Sequence, residues 1–133
     1  MSTHSPLLEF SSDAFPVVPD EDAETNPGVY GLSLSRWLEQ QLTMAGWATG
    51  ESFPEEYGWG VEVKHAGHRL YVGCFNANAA ADRWQVFAFI DTGVFGAVVD
   101  DSDRQHALDT VFAGVQQILS VAQEVRELQI SKS

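Results

Sequence analysis

The residues of this chain best suited to chemistry lie in Phe53-Pro54-Glu55-Glu56-Tyr57-Gly58-Trp59-Gly60-Val61-Glu62-Val63, where an acidic, aromatic turn runs directly into a strand. Glu55, Glu56 and Tyr57 form a patch able to receive a basic ligand or partner. Two adjacent carboxylates also serve acid–base work, but only where burial or a charged neighbour moves their pKa values. The structural alternative is a solvated turn with Tyr57 and Trp59 anchored in the core. His65 and His68 flank a later turn, yet two histidines without a third ligand make a weak site, so no metal is expected. Asp100, Asp101 and Asp103 lack the spacing and central glycine of a calcium loop and read as helix capping. Cys74 sits among apolar strand neighbours and reads as a small hydrophobe, not an activated thiol. The chain has no phosphate-binding glycine loop, G-x-S-x-G elbow or zinc-type cysteine spacing. No catalytic residue and no cofactor is therefore expected.

These residues must be positioned by strands and helices whose periods are visible. Trp59, Val61 and Val63 alternate with Gly60, Glu62 and Lys64, the period-two pattern of a half-buried strand. Arg69 to Phe75 places Leu70, Val72 and Cys74 on one side and Tyr71, Gly73 and Phe75 on the other. With Ala66-Gly67 as a two-residue turn, Val63 faces Leu70, Val61 faces Val72 and Gly60 faces Gly73. Trp84, Val86, Ala88 and Ile90 alternate with Gln85, Phe87 and Phe89 in a third strand. One side of the sheet thus collects Tyr71, Phe75, Phe87 and Phe89 beside a gap at Gly60 and Gly73. Exposed rings of this kind mark interfaces or ligand grooves. The alternative is that Phe10, Phe15, Val17 and Val18 fold over this side and complete the core.

Leu34, Trp37, Leu38, Leu42 and Ala45 recur at helical spacing, with Asn26-Pro27 as a helix start and Gly46 as the stop. Leu108, Val111, Phe112, Val115, Ile118, Leu119, Ala122 and Val125 form a longer helical stripe, preceded by a Ser102/Gln105 capping box. Leu7, Leu8 and Phe10 can form a short strand, Asp20 to Thr25 reads as a solvated loop, and Val94 to Val99 can add an edge strand. The expectation is an α+β fold: an antiparallel sheet of three to five strands, built on a β-meander, with two helices packed on one face. Residues 1–26 form an acidic, proline-containing segment, 27–128 the single domain, and 129–133 a frayed tail.

Composition narrows the function classes. The 133 residues suit one domain, and a net charge of −12, from 19 acidic residues against 7 Lys and Arg, disfavours nucleic acid and anionic membranes. The same charge can steer a basic partner towards the surface. A single cysteine allows no internal disulfide, and MSTHSPLLEFSS has neither a basic start nor an apolar run of signal length, so a cytoplasmic location is expected.

Ser35-Arg36-Trp37-Leu38-Glu39-Gln40-Gln41-Leu42, the Phe53–Val63 stretch, Tyr71-Val72-Gly73-Cys74-Phe75-Asn76 and Trp84-Gln85-Val86 together resemble a group of small, uncharacterised bacterial proteins with a Pro-Glu-Asp-Tyr/Trp-Gly-Trp motif before a strand. Glu56 stands where that group more often has aspartate, and Gly60 departs from its pattern. The resemblance spans about residues 27 to 92 and implies a bacterial origin without an activity. The expected function is a non-enzymatic, acidic protein-binding module, of immunity or inhibitor type, using Glu55, Glu56, Tyr57, Tyr71, Phe75, Phe87 and Phe89 against a basic protein. The alternatives are a small-molecule site or modest enzyme near Gly60, Gly73, Glu55 and Tyr57, and a homodimer through the aromatic side.

Overall fold

A computed structural model of the chain describes residues 4–77, 82–90 and 101–131. The alternating stretches form the strands expected of them: β3 (Gly58–His65), β4 (His68–Asn76) and β5 (Arg83–Ile90). Ala66 and Gly67, both at positive φ, make the two-residue turn between β3 and β4. Gly60 pairs with Gly73, Val61 with Val72 and Val63 with Leu70, as the alternation predicts. Three further strands complete an antiparallel six-stranded sheet: β1 (Leu7–Ser11), β2 (Ala48–Glu55) and β6 (Arg126–Ser131), in the order β2-β3-β4-β5-β1-β6. The fold is α+β, with one strand more than the upper expected number.

The two helices, α1 (Leu32–Met44) and α2 (Asp101–Val121), pack on one face of this sheet. Leu34, Leu38 and Leu42 from α1 and Ala107, Leu108, Val111, Val115 and Leu119 from α2 close over Val63, Leu70, Val72, Cys74, Val86, Ala88 and Ile90. Trp59 and Val61 are buried on the same side. Gly46, at positive φ, ends α1: its N–H bonds the Thr43 carbonyl and the Trp47 N–H bonds that of Leu42, a Schellman cap. Trp47 then packs against α2, where a Cβ on Gly114 would lie 2.6 Å from its Cζ2.

Several sequence expectations need correction. The alternative in which Phe10 and Phe15 cover the aromatic side does not hold. Leu8 and Phe10 point into the helix-side core, and Phe15 packs against Phe10, Trp37 and Trp84 at ring distances of 6.4, 5.2 and 6.3 Å. Alternation carries Leu8 and Phe10 there because β1 pairs with β5 in the register Leu8↔Val86 and Phe10↔Trp84. Second, Asn26-Pro27 does not start α1. Asn26 Nδ2 donates to the Glu56 carbonyl, and the helix starts at Leu32 after Gly31. Third, Asp20 to Thr25 is no simple solvated loop, since Glu21 in the 3-10 turn Glu21–Ala23 is buried and bonded to the start of α1. Fourth, the long stripe stops as a helix at Val121. Residues 129–131, expected to fray, end strand β6 beside β1. Ser102 lies inside the first turn of α2, not ahead of it, and the Gln105 side chain bonds Asp109. The edge strand expected at Val94 to Val99 falls outside the described residues.

Cys74 is completely buried beneath the helices, and burial pushes its thiol above its usual range. Iodoacetamide is expected to leave it unmodified in the native protein and to alkylate it after denaturation. Native labelling at the rate of a free cysteine would contradict this packing.

Candidate functional site

The face of the sheet opposite the helices carries the aromatic residues that alternation sends outward. Phe53 from β2, Tyr57 from the β2–β3 turn, Tyr71 and Phe75 from β4, and Phe87 and Phe89 from β5 form one connected set of rings. Tyr71 stacks on Phe89 at 5.2 Å and Phe87 on Phe89 at 5.4 Å, with interplanar angles of 28° and 22°. Phe53 meets Tyr71 edge-on at 5.5 Å, and Tyr57 meets Phe75, Phe87 and Phe89 edge-on at 6.5, 5.4 and 6.1 Å. Both geometries are favoured for aromatic pairs. All six rings are half-buried, and neither helix nor the Phe10 to Val18 stretch covers them.

The two glycines make this arrangement achievable. A Cβ on Gly60 would stand 2.7 Å from Phe53 Cζ and 3.0 Å from the Tyr57 hydroxyl oxygen, and one on Gly73 would stand 2.8 Å from Tyr57 Cε1. The gap expected to serve as a pocket is therefore filled by the protein's own rings. Tyr57 is not anchored among the helices. It packs over the glycines on the opposite face, while Trp59, on the helix side, is buried. Burial, with smaller contributions from Cys74 and Glu55, pushes the Tyr57 hydroxyl above the usual phenol range, so this ring stays neutral. Its hydroxyl has no hydrogen-bond partner among the described residues.

An open cleft of about 540 Å³ lies beside the filled gap, lined by Gly50, Glu51, Phe53, Glu55, Glu62, Tyr71 and Phe89. Glu62 Oε2 pairs with Arg69 Nε at 3.3 Å. The carboxylates of Glu51 and Glu55 have no ion-pair or hydrogen-bond partner among the described residues. Towards β1 the face becomes polar: Glu9 accepts from Arg83 at 2.6 Å and from Gln85 at 2.9 Å, and these bonds hold its carboxyl below the usual range. One side of the platform is thus charge-balanced and the other carries free negative charge.

Of the expected binding residues, Tyr57, Tyr71, Phe75, Phe87 and Phe89 come together in one ring system, and Glu55 joins its rim. Glu56 is exposed at the turn and does not line the cleft. Phe53, Glu51, Glu62 and Gly50 complete the cleft and are not among the binding residues expected from the sequence. The signal for the first two is present in the chain, since Glu51, Phe53 and Glu55 fall at every second position of β2.

His65 and His68 are cross-strand neighbours, with the His65 ring 5.3 Å from Trp47. No group of three or more His, Cys, Asp or Glu is placed to hold a metal among the described residues. No helix among them is long and apolar enough to cross a membrane. No family model, curated protein or solved structure matches this chain.

Proposed function

We propose that this chain is a non-enzymatic binding module whose open sheet face recognises a basic protein surface, in the manner of an immunity-type or inhibitor protein. The observation that carries this reading is the six-ring platform with unpaired carboxylates on one rim. Aromatic rings supply large contact area at low entropic cost and dominate the energetics of interfaces where they become fully buried. The net charge of −12 adds long-range attraction for a cationic partner. Self-association through the same face is opposed by the repulsion between two copies that each carry a net charge of −12.

Affinity capture from the native cell tests this, with the captured protein identified and then purified for titration. A basic protein is expected to bind wild type and to bind more weakly as salt rises. Glu55→Lys/Glu56→Lys should weaken it about tenfold at low salt. Phe87→Ala should weaken it about thirtyfold, the loss typical of an interface anchor, provided that its circular dichroism and melting curve show a folded domain. A captured partner that is acidic, or whose binding ignores both variants, would remove the proposal.

A further inference from the structure

We infer that the cleft lined by Phe53, Tyr71, Phe89, Glu51, Glu55 and Glu62 is an arginine-binding site, and that the partner enters it with a single arginine side chain. This rests on the protein-binding reading above but is separable from it. Phe53 stands nearly perpendicular to Tyr71, at 81°, and Tyr71 is stacked against Phe89, so the cleft is a corner of ring surfaces. A guanidinium is planar and weakly hydrated. It can lie on one ring while its in-plane N–H groups reach carboxylates, and its methylene stem covers the neighbouring ring.

Two carboxylates of this cleft, Glu51 and Glu55, have no partner among the described residues. The third, Glu62, already holds the guanidinium of Arg69 at the cleft's edge, so the same chemistry operates at the site within the chain itself. A guanidinium has five N–H donors in one plane and can donate to more than one carboxylate while its face rests on a ring, which the compact, strongly hydrated ammonium of lysine does less well. A volume of about 540 Å³ and an open mouth accept one long side chain carried on a protein surface.

The test titrates the full chain with acetyl-Gly-Arg-Gly-amide and, separately, acetyl-Gly-Lys-Gly-amide at low ionic strength, following backbone amide shifts by NMR. The arginine peptide should give saturable shifts at Gly50, Phe53, Glu62, Tyr71 and Phe89, and should bind about fivefold more tightly than the lysine peptide. Glu51→Gln/Glu55→Gln should weaken arginine binding about tenfold while leaving shifts elsewhere in the spectrum unchanged. Phe53→Leu, which keeps an apolar wall but removes the π face, should narrow the difference between the two peptides. Equal affinities for the two peptides, or arginine shifts that do not saturate, would overturn the inference. If a basic protein partner is lost on Phe87→Ala but binds Glu51→Gln/Glu55→Gln unchanged, the sheet-face reading stands and the arginine site falls. If the arginine peptide saturates the cleft while no basic protein is captured, the arginine site stands and the protein-binding reading falls.

Discussion

Replacing Glu21 with alanine is expected to destabilise the protein by about 3 kcal/mol, the sum of several buried donors losing their acceptor. Glu21 is 3% exposed, and its carboxylate accepts three backbone N–H groups. Oε1 takes those of Gly31 at 2.8 Å and Leu32 at 3.0 Å, and Oε2 takes that of Val18 at 2.7 Å. Gly31 is the N-cap of α1 and offers no side-chain cap of its own, so Glu21 supplies from ten residues upstream what Ser, Thr or Asp usually supplies in place. A carboxylate at a helix N-terminus is also favoured by the dipole. Substituting Gly31 to restore a local cap is blocked, because a Cβ there would run into the Cys74 carbonyl. Chemical denaturation monitored by circular dichroism measures the effect. Glu21→Gln keeps one acceptor oxygen and should lose roughly half as much as Glu21→Ala. Equal losses for the two variants would mean that packing, not acceptance of hydrogen bonds, is what Glu21 contributes.

Phe10→Ala is expected to cost about 4 kcal/mol, within the usual range for deleting a buried aromatic ring. Phe10 has no exposed surface, stands opposite Trp84 in the β1–β5 pairing, and meets Phe15 edge-on. Phe15 continues the contact to Trp37 of α1, so the cavity left by Phe10 would open where the sheet, α1 and the first loop join. Strand β1 is also the strand on which β6 pairs. The same urea titration should show a lower midpoint, and a loss below about 1 kcal/mol would place Phe10 at the periphery of the core.

The meander was legible because its strands are buried on one face only. Leu70, Val72 and Cys74 alternate with Tyr71, Gly73 and Phe75, and a one-residue slip would exchange the two sets, so local pattern and register carry the same information. The turn at Ala66-Gly67 pinned that register. Strand β6 was not legible, because Arg126, Glu127, Gln129, Ile130 and Ser131 are all exposed and no apolar alternation survives at an outer edge. Strand β2 was obscured for a related reason. It is the opposite edge, and the chain shifts register between Thr49 and Ser52, which breaks the period that would reveal it. Pro54 and the free carboxylates on this edge discourage pairing with another chain.

The alternation within β3, β4 and β5 settles which residues share a side of the sheet: Trp59, Val61, Leu70, Val72, Trp84, Val86 and Ile90 under the helices, and Tyr71, Phe75, Phe87 and Phe89 on the other side. That partition follows from backbone geometry, since successive side chains of any strand point to opposite faces. Tertiary packing places β1 beside β5 with Phe10 and Phe15 away from the rings, sets Glu21 at the start of a helix, and puts Tyr57 and Phe53 into the glycine gap, so that the cleft lies at Glu51, Glu55 and Glu62. Each of these depends on which distant segments share space. A period of two residues specifies the face of a strand but not its neighbour, and a free carboxylate in a loop carries no mark of the amides it will meet.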